Sequence, residues 1–84
     1  MGEYVLREEE ITAYGRYLHF EECSPGTIEK YLRDTRAFNV WLDGRTVTKE
    51  LVADWKAHLL EEDYAPVTVN SMLSALNGLF RFLG

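Results

Sequence analysis

The stretch Ser24-Pro25-Gly26-Thr27-Ile28-Glu29-Lys30-Tyr31-Leu32-Arg33-Asp34, continuing through Phe38 and Trp41-Leu42 to Asp43-Gly44, decides how the chain folds. Ser24 is a good helix N-cap, because its hydroxyl oxygen can accept from a first-turn backbone N–H. Pro25 then falls at the first helical position, where its missing N–H costs nothing. Ile28, Tyr31, Leu32, Phe38, Trp41 and Leu42 recur at helical spacing and make one apolar stripe. Asp43-Gly44 stops the helix, with Gly44 suited to a left-handed cap. A start, a stripe and a stop in one segment specify an amphipathic helix.

Three more helices follow from the same rules on either side. The first is expected over residues 8–22, with Ile11, Tyr14 and Leu18 on one face and Glu8, Glu9 and Glu10 at the positive end of its dipole. It breaks at Cys23-Ser24-Pro25-Gly26. Thr48 caps the third, whose inner face is Leu51, Val52, Trp55 and Leu59, and Glu61-Glu62-Asp63 closes it. Pro66 opens the fourth, which carries Val69, Met72, Leu73, Leu76, Leu79, Phe80 and Leu83 at spacings of three and four. No stretch alternates like a half-buried strand, and the connections are short. The expectation is an all-α, compact four-helix bundle, with Trp41 and Trp55 both largely buried.

At 84 residues the chain makes one domain, spanning residues 1–84. Its 46% hydrophobic content, with only two prolines and six glycines, excludes a disordered or low-complexity segment. Cys23 is the only cysteine, so an internal disulfide and a thiolate metal cluster are both excluded. No apolar run approaches the roughly 18 residues of a membrane span, and no signal-peptide pattern is present. Cytoplasmic residence and no membrane partner are the expectations. The chain stops directly after Leu79-Phe80-Arg81-Phe82-Leu83-Gly84, which reads as a domain edge.

The net charge of −5 argues against a nucleic-acid partner until the charges are placed. Residues 1–23 hold six acids and two bases, and residues 43–63 hold six acids and three bases. Residues 24–42 hold Glu29 and Asp34 against Lys30, Arg33 and Arg36, while residues 64–84 hold Arg81 and no acid. The negative charge therefore belongs to helices one and three. At 100° per residue, Lys30, Arg33 and Arg36 point away from the stripe of helix two. On helix four the outward face is Asn70, Ser71, Ser74, Asn77 and Arg81. Amides, hydroxyls and cations without a carboxylate suit an approach to phosphates and base edges. A merely solvated face has the same composition, and the charges alone leave both readings open.

The order and spacing of these motifs resemble the core-binding domain of phage integrases and other tyrosine recombinases. Ser24-x-x-Thr27, Tyr31, a basic residue, Phe38 and Trp41-Leu42 match that family's pattern on helix two. Thr46-Val47-Thr48 resembles its entry into helix three. Thr68-x-Asn70-x-x-Leu73-Ser74-Ala75-Leu76-x-x-Leu79-Phe80-x-Phe82-Leu83 resembles its last helix. The resemblance covers the chain from Glu8 onward. It implies a SAM-like bundle that closes one side of a clamp around double-stranded DNA, with helices two and four facing the duplex. The DNA-binding residues it implies are Thr27, Lys30, Arg33 and Arg36 on helix two. On helix four they are Thr68, Asn70, Ser71, Ser74, Asn77 and Arg81. It also implies two protein partners: a C-terminal catalytic domain of the same polypeptide and neighbouring recombinase subunits. Relatives often place arginines where Ser71, Asn77 and Gly78 stand here, so this domain alone should bind weakly, with a logarithmic salt slope of about −3.

The family's chemistry, phosphoryl transfer to a tyrosine, belongs to that other domain, so no catalytic residue and no cofactor is expected in this one. Tyr4, Tyr14, Tyr17, Tyr31 and Tyr64 lack the positive, preorganised surroundings of a nucleophile and are expected to be structural. His19 and His58 have no second ligand at helical spacing, and the acids at 61–63 lack the pattern of a calcium loop. Metal binding is not expected. The rival reading of the whole chain is an acidic helical protein–protein interaction module without nucleic-acid binding. Phe20, Leu60 and Phe82 fall off their helices' core stripes and are where a protein contact would be sought.

Overall fold

The computed structural model of the chain describes residues 5–84; Tyr4 lies outside them. Four helices follow in order: α1 (Glu8–Phe20), α2 (Pro25–Leu42), α3 (Lys49–Glu61) and α4 (Pro66–Leu83). The described residues hold no strand, and the all-α bundle expected from periodicity is the fold. α2 packs most extensively on α4 and α1, and so forms the centre of the bundle.

The expected caps form at two of the four starts. The Ser24 hydroxyl accepts from the Thr27 N–H at 3.2 Å, and the Thr48 hydroxyl accepts from the Leu51 N–H at 3.0 Å. Pro66 opens α4 behind Ala65, which offers no capping side chain. α1 ends at Phe20, two residues earlier than its expected limit. Glu22 there turns left-handed (φ 62°), which lets Cys23 N–H reach the Leu18 carbonyl at 3.1 Å. α3 closes the same way through Asp63 (φ 69°), with Tyr64 N–H bonded to the Leu59 carbonyl at 3.2 Å. Both are Schellman closures made without glycine. Each left-handed residue costs about 1 kcal/mol that the satisfied carbonyls offset. After α2, Asp43 and Gly44 both take positive φ.

The core is built from the expected stripes: Ile11, Tyr14 and Leu18 of α1, Phe38 and Leu42 of α2, Trp55 and Leu59 of α3, and Val69, Met72, Leu76 and Leu79 of α4. Phe38 is its hub, in ring contact with Trp41, Trp55 and Phe80 at 6.1, 5.0 and 6.3 Å. Two backbone approaches depend on glycine. A Cβ on Gly15 would stand 2.9 Å from Leu32 Cδ1, and one on Gly78 would collide with the Tyr14 hydroxyl.

Trp55 is sealed, and Trp41 is partly buried, packed against the edge of the core. It sits on the flank of α2, against His58 and beneath the Arg45 guanidinium, 4.5 Å from the ring centroid. Arg45 also donates to the Leu42 and Trp41 carbonyls at 2.8 Å each, closing the helix end that Trp41 occupies. The stripe of α2 is less apolar than its hydrophobic residues suggest, since Asp34 and Thr35 are both buried. Thr35 satisfies its hydroxyl inside its own helix, donating to the Tyr31 and Leu32 carbonyls at 3.0 and 3.1 Å.

Candidate nucleic-acid interface

Where α2 lies along the first turns of α4, a groove of about 450 Å³ opens between them. Lys30, Arg33, Asp34 and Ala37 line it from α2; Val67, Thr68, Ser71 and Met72 line it from α4, with Tyr64 at its end. Four residues singled out from the sequence thus meet on one surface: Lys30, Arg33, Thr68 and Ser71. They meet because Lys30 and Ser71 lie on the facing flanks of their helices, one turn from the buried Asp34 and next to the buried Met72.

Lys30 does not stand free. Its ammonium pairs with the Asp34 carboxylate at 2.5 Å, one turn along α2, and donates to the Ser71 carbonyl of α4 at 3.4 Å. The outward orientation expected for it is therefore corrected: its stem lies along the flank and its charge is met inside the groove. Arg33 is well exposed, with Nε 3.7 Å from the other oxygen of the same carboxylate. Arg36 lies farther round α2, toward α1. It bonds Glu8 of α1 at 2.9 Å and shares with Arg33 a second depression that His19, Gly26, Ile28 and Leu32 also line. Thr27 is half-buried at the helix start, where its hydroxyl accepts from Ser24 at 2.9 Å.

On α4, Asn70, Ser74, Asn77 and Arg81 are exposed along the ridge facing away from the core, and none of them lines the groove. Arg81 takes part in none of the ion pairs among the described residues. The interface read from the sequence thus divides into a groove (Lys30, Arg33, Thr68, Ser71), a ridge (Asn70, Ser74, Asn77, Arg81) and two residues, Thr27 and Arg36, turned elsewhere. Sequence reasoning passed over Asp34, Ala37, Tyr64, Val67 and Met72. Asp34 was detectable: it lies four residues before Phe38 and four after Lys30, so the period that buries Phe38 also turns Asp34 inward. Val67, three-quarters exposed, is not on any core stripe and carried no signal.

Tyr14 is sealed in the core, and burial, reinforced by Tyr31, Cys23 and Tyr17, pushes its hydroxyl up to about 12; Arg81 opposes the shift. A nucleophile needs the reverse. Among the described residues no cluster of His, Cys, Asp and Glu could hold a metal ion. No described helix is long and apolar enough to cross a membrane. Of the off-stripe apolar residues, Phe20 and Leu60 are exposed, whereas Phe82 packs between Tyr14 and Tyr17 at 5.5 and 4.9 Å.

A family model described as "Phage integrase, N-terminal SAM-like domain" matches residues 11–84. No curated protein and no solved structure compared with the chain matches it.

Proposed function

The chain belongs to the N-terminal SAM-like domain family of phage integrases, and from that premise we propose that it holds the recombination-site duplex of a tyrosine recombinase through α2 and α4. The observation that carries this reading is the groove between those two helices. Two cations of α2 and two hydroxyl residues of α4 share it, while the acidic surplus belongs to the segments around α1 and α3. Arg33, Thr68 and Ser71 approach one stretch of the DNA backbone, beside the compensated Lys30. Asn70, Ser74, Asn77 and Arg81 follow it along the ridge, where amides and hydroxyls can reach base edges. The uncapped first turn of α4 opens onto the same groove and adds a favourable dipole for phosphate. Thr27 supports the start of α2, and Arg36 is the outlying cation. Strand cleavage and rejoining belong to a C-terminal catalytic domain of the parent polypeptide, in the cytoplasm. Exposed Phe20 suits a contact with a neighbouring subunit on the DNA.

Affinity for duplex DNA is low. With Lys30 compensated, the logarithmic salt slope of the 84-residue chain is about −2, at 0.9 per neutralised phosphate. An NMR titration with duplex DNA at low salt tests the reading. Amide shifts concentrated in residues 27–36 and 68–81 support it. Shifts concentrated on α1 or α3 instead point to the protein-interaction module.

A further inference from the structure

We propose that Asp34 takes Lys30 out of the phosphate-contacting set and makes it a tie that fixes the spacing of α2 and α4. Asp34 is 3% exposed although its carboxylate is a charged group. Burying a charge is costly unless it is paired and hydrogen-bonded. Here Lys30 supplies the pair at 2.5 Å, and Arg33 stands 3.7 Å from the second oxygen. The Lys30 ammonium has a further proton, and that one bonds the Ser71 carbonyl across the groove. A mid-helix carbonyl already accepts from its own helix, so this contact uses its second lone pair. One ammonium thus joins a buried anion on α2 to the backbone of α4, at the mouth of the groove the two helices form.

The consequence for binding rests on the DNA reading proposed above. A lysine whose charge is met by an adjacent buried carboxylate releases no counterion when a phosphate arrives. Arg33, mostly exposed and more distant from Asp34, remains as the groove's cation. Removing the carboxylate therefore strengthens DNA binding even though it weakens the fold. Lys30 is a positioning residue, and Asp34 the anchor that holds it.

The test uses the 84-residue chain, K30M, D34N and the double variant. Each is measured by urea unfolding, by amide spectra and by the salt dependence of duplex binding. The two single substitutions should each raise the unfolding constant, by roughly 3- to 30-fold, and combine less than multiplicatively. K30M should move the Ser71 and Met72 amides across the groove. D34N frees the ammonium, so its salt slope should steepen by about 0.9 and its low-salt affinity should rise. K30M, and the double variant, should keep the parent's slope. The side-chain amide that D34N introduces matches the carboxylate in size, so this variant carries the binding comparison should K30M not fold. A slope that falls by about 0.9 in K30M and is unchanged in D34N would make Lys30 an ordinary phosphate contact and overturn the tie. Independent unfolding effects with unmoved Ser71 and Met72 amides would overturn it without reference to DNA. If no variant binds duplex at any salt, the DNA reading fails, and the unfolding cycle and those amides decide the tie.

Discussion

α2 and α4 have the same length, 18 residues, and both carry proline in the first turn, yet they begin and bury themselves differently. α2 is closed at its start by Ser24 and holds its two polar buried residues, Asp34 and Thr35, in internal hydrogen bonds. α4 starts behind Ala65 with no capping side chain, and its buried residues are Val69, Met72, Ala75, Leu76 and Leu79. None of the polar side chains of α4 is buried. The difference shows two ways to combine a packed helix with a polar surface. α4 segregates its polar and apolar residues by face, whereas α2 passes a charged pair through the boundary and satisfies it there.

The largest expected effect separates two aromatic residues of α2 that the apolar pattern treats alike. Phe38→Ala should cost about 3–5 kcal/mol, enough to unfold most molecules of so small a domain, because the ring is sealed among three others. Trp41→Ala should cost only about 1–2 kcal/mol, since the indole is half-buried and Arg45 can return to water. Urea midpoints of the two variants measure the gap; equal losses would return Trp41 to the core.

A middling effect concerns the contact of α1 with α4 at Tyr14 and Gly78. The Tyr14 hydroxyl is raised from 10.0 to about 12 in the folded chain, chiefly by burial. The folded state then holds the proton more tightly than the unfolded one. Its contribution is complete below pH 10 and is lost as pH climbs from 10 through 12. A loss of roughly 1–3 kcal/mol across that window is expected. Tyr14→Phe should lack this part of the alkaline loss, so the difference between the two proteins' urea midpoints at pH 8 and pH 11.5 is the readout. A constant difference would remove the burial argument.

The smallest effect tests the helix starts themselves. Ser24→Ala should lower stability by about 1 kcal/mol, and Ala65→Ser should raise it by about 0.5–1 kcal/mol, both followed by thermal denaturation. If Ala65→Ser changes nothing, the first turn of α4 already has partners and the contrast with α2 is weaker than drawn.

Much of the fold was legible because its signals are local. The Ser24-Pro25 and Thr48 starts, the Pro66 start and the stripes of α1, α3 and α4 depend on neighbours within four residues. The left-handed turns at Glu22 and Asp63 were not, because glycine is the residue that advertises such a turn and neither position has it. Of the candidate interface, the presence of cations and amides on α2 and α4 was legible. Their grouping was not, since the side of a helix facing a neighbour depends on which neighbour it has.

The sequence by itself determined four amphipathic helices, their order, most of the core and the family, because periodicity, capping and motif spacing are properties of consecutive residues. The tertiary structure alone decided three things: that Lys30 turns into the groove while Arg36 turns toward Glu8, that Trp41 remains at the rim, and that Gly78 must leave room for Tyr14. The physical reason is common to all three. A side chain's charge or volume acts through whatever lies within a few ångströms of it, and in each case that neighbour comes from a different turn, loop or helix.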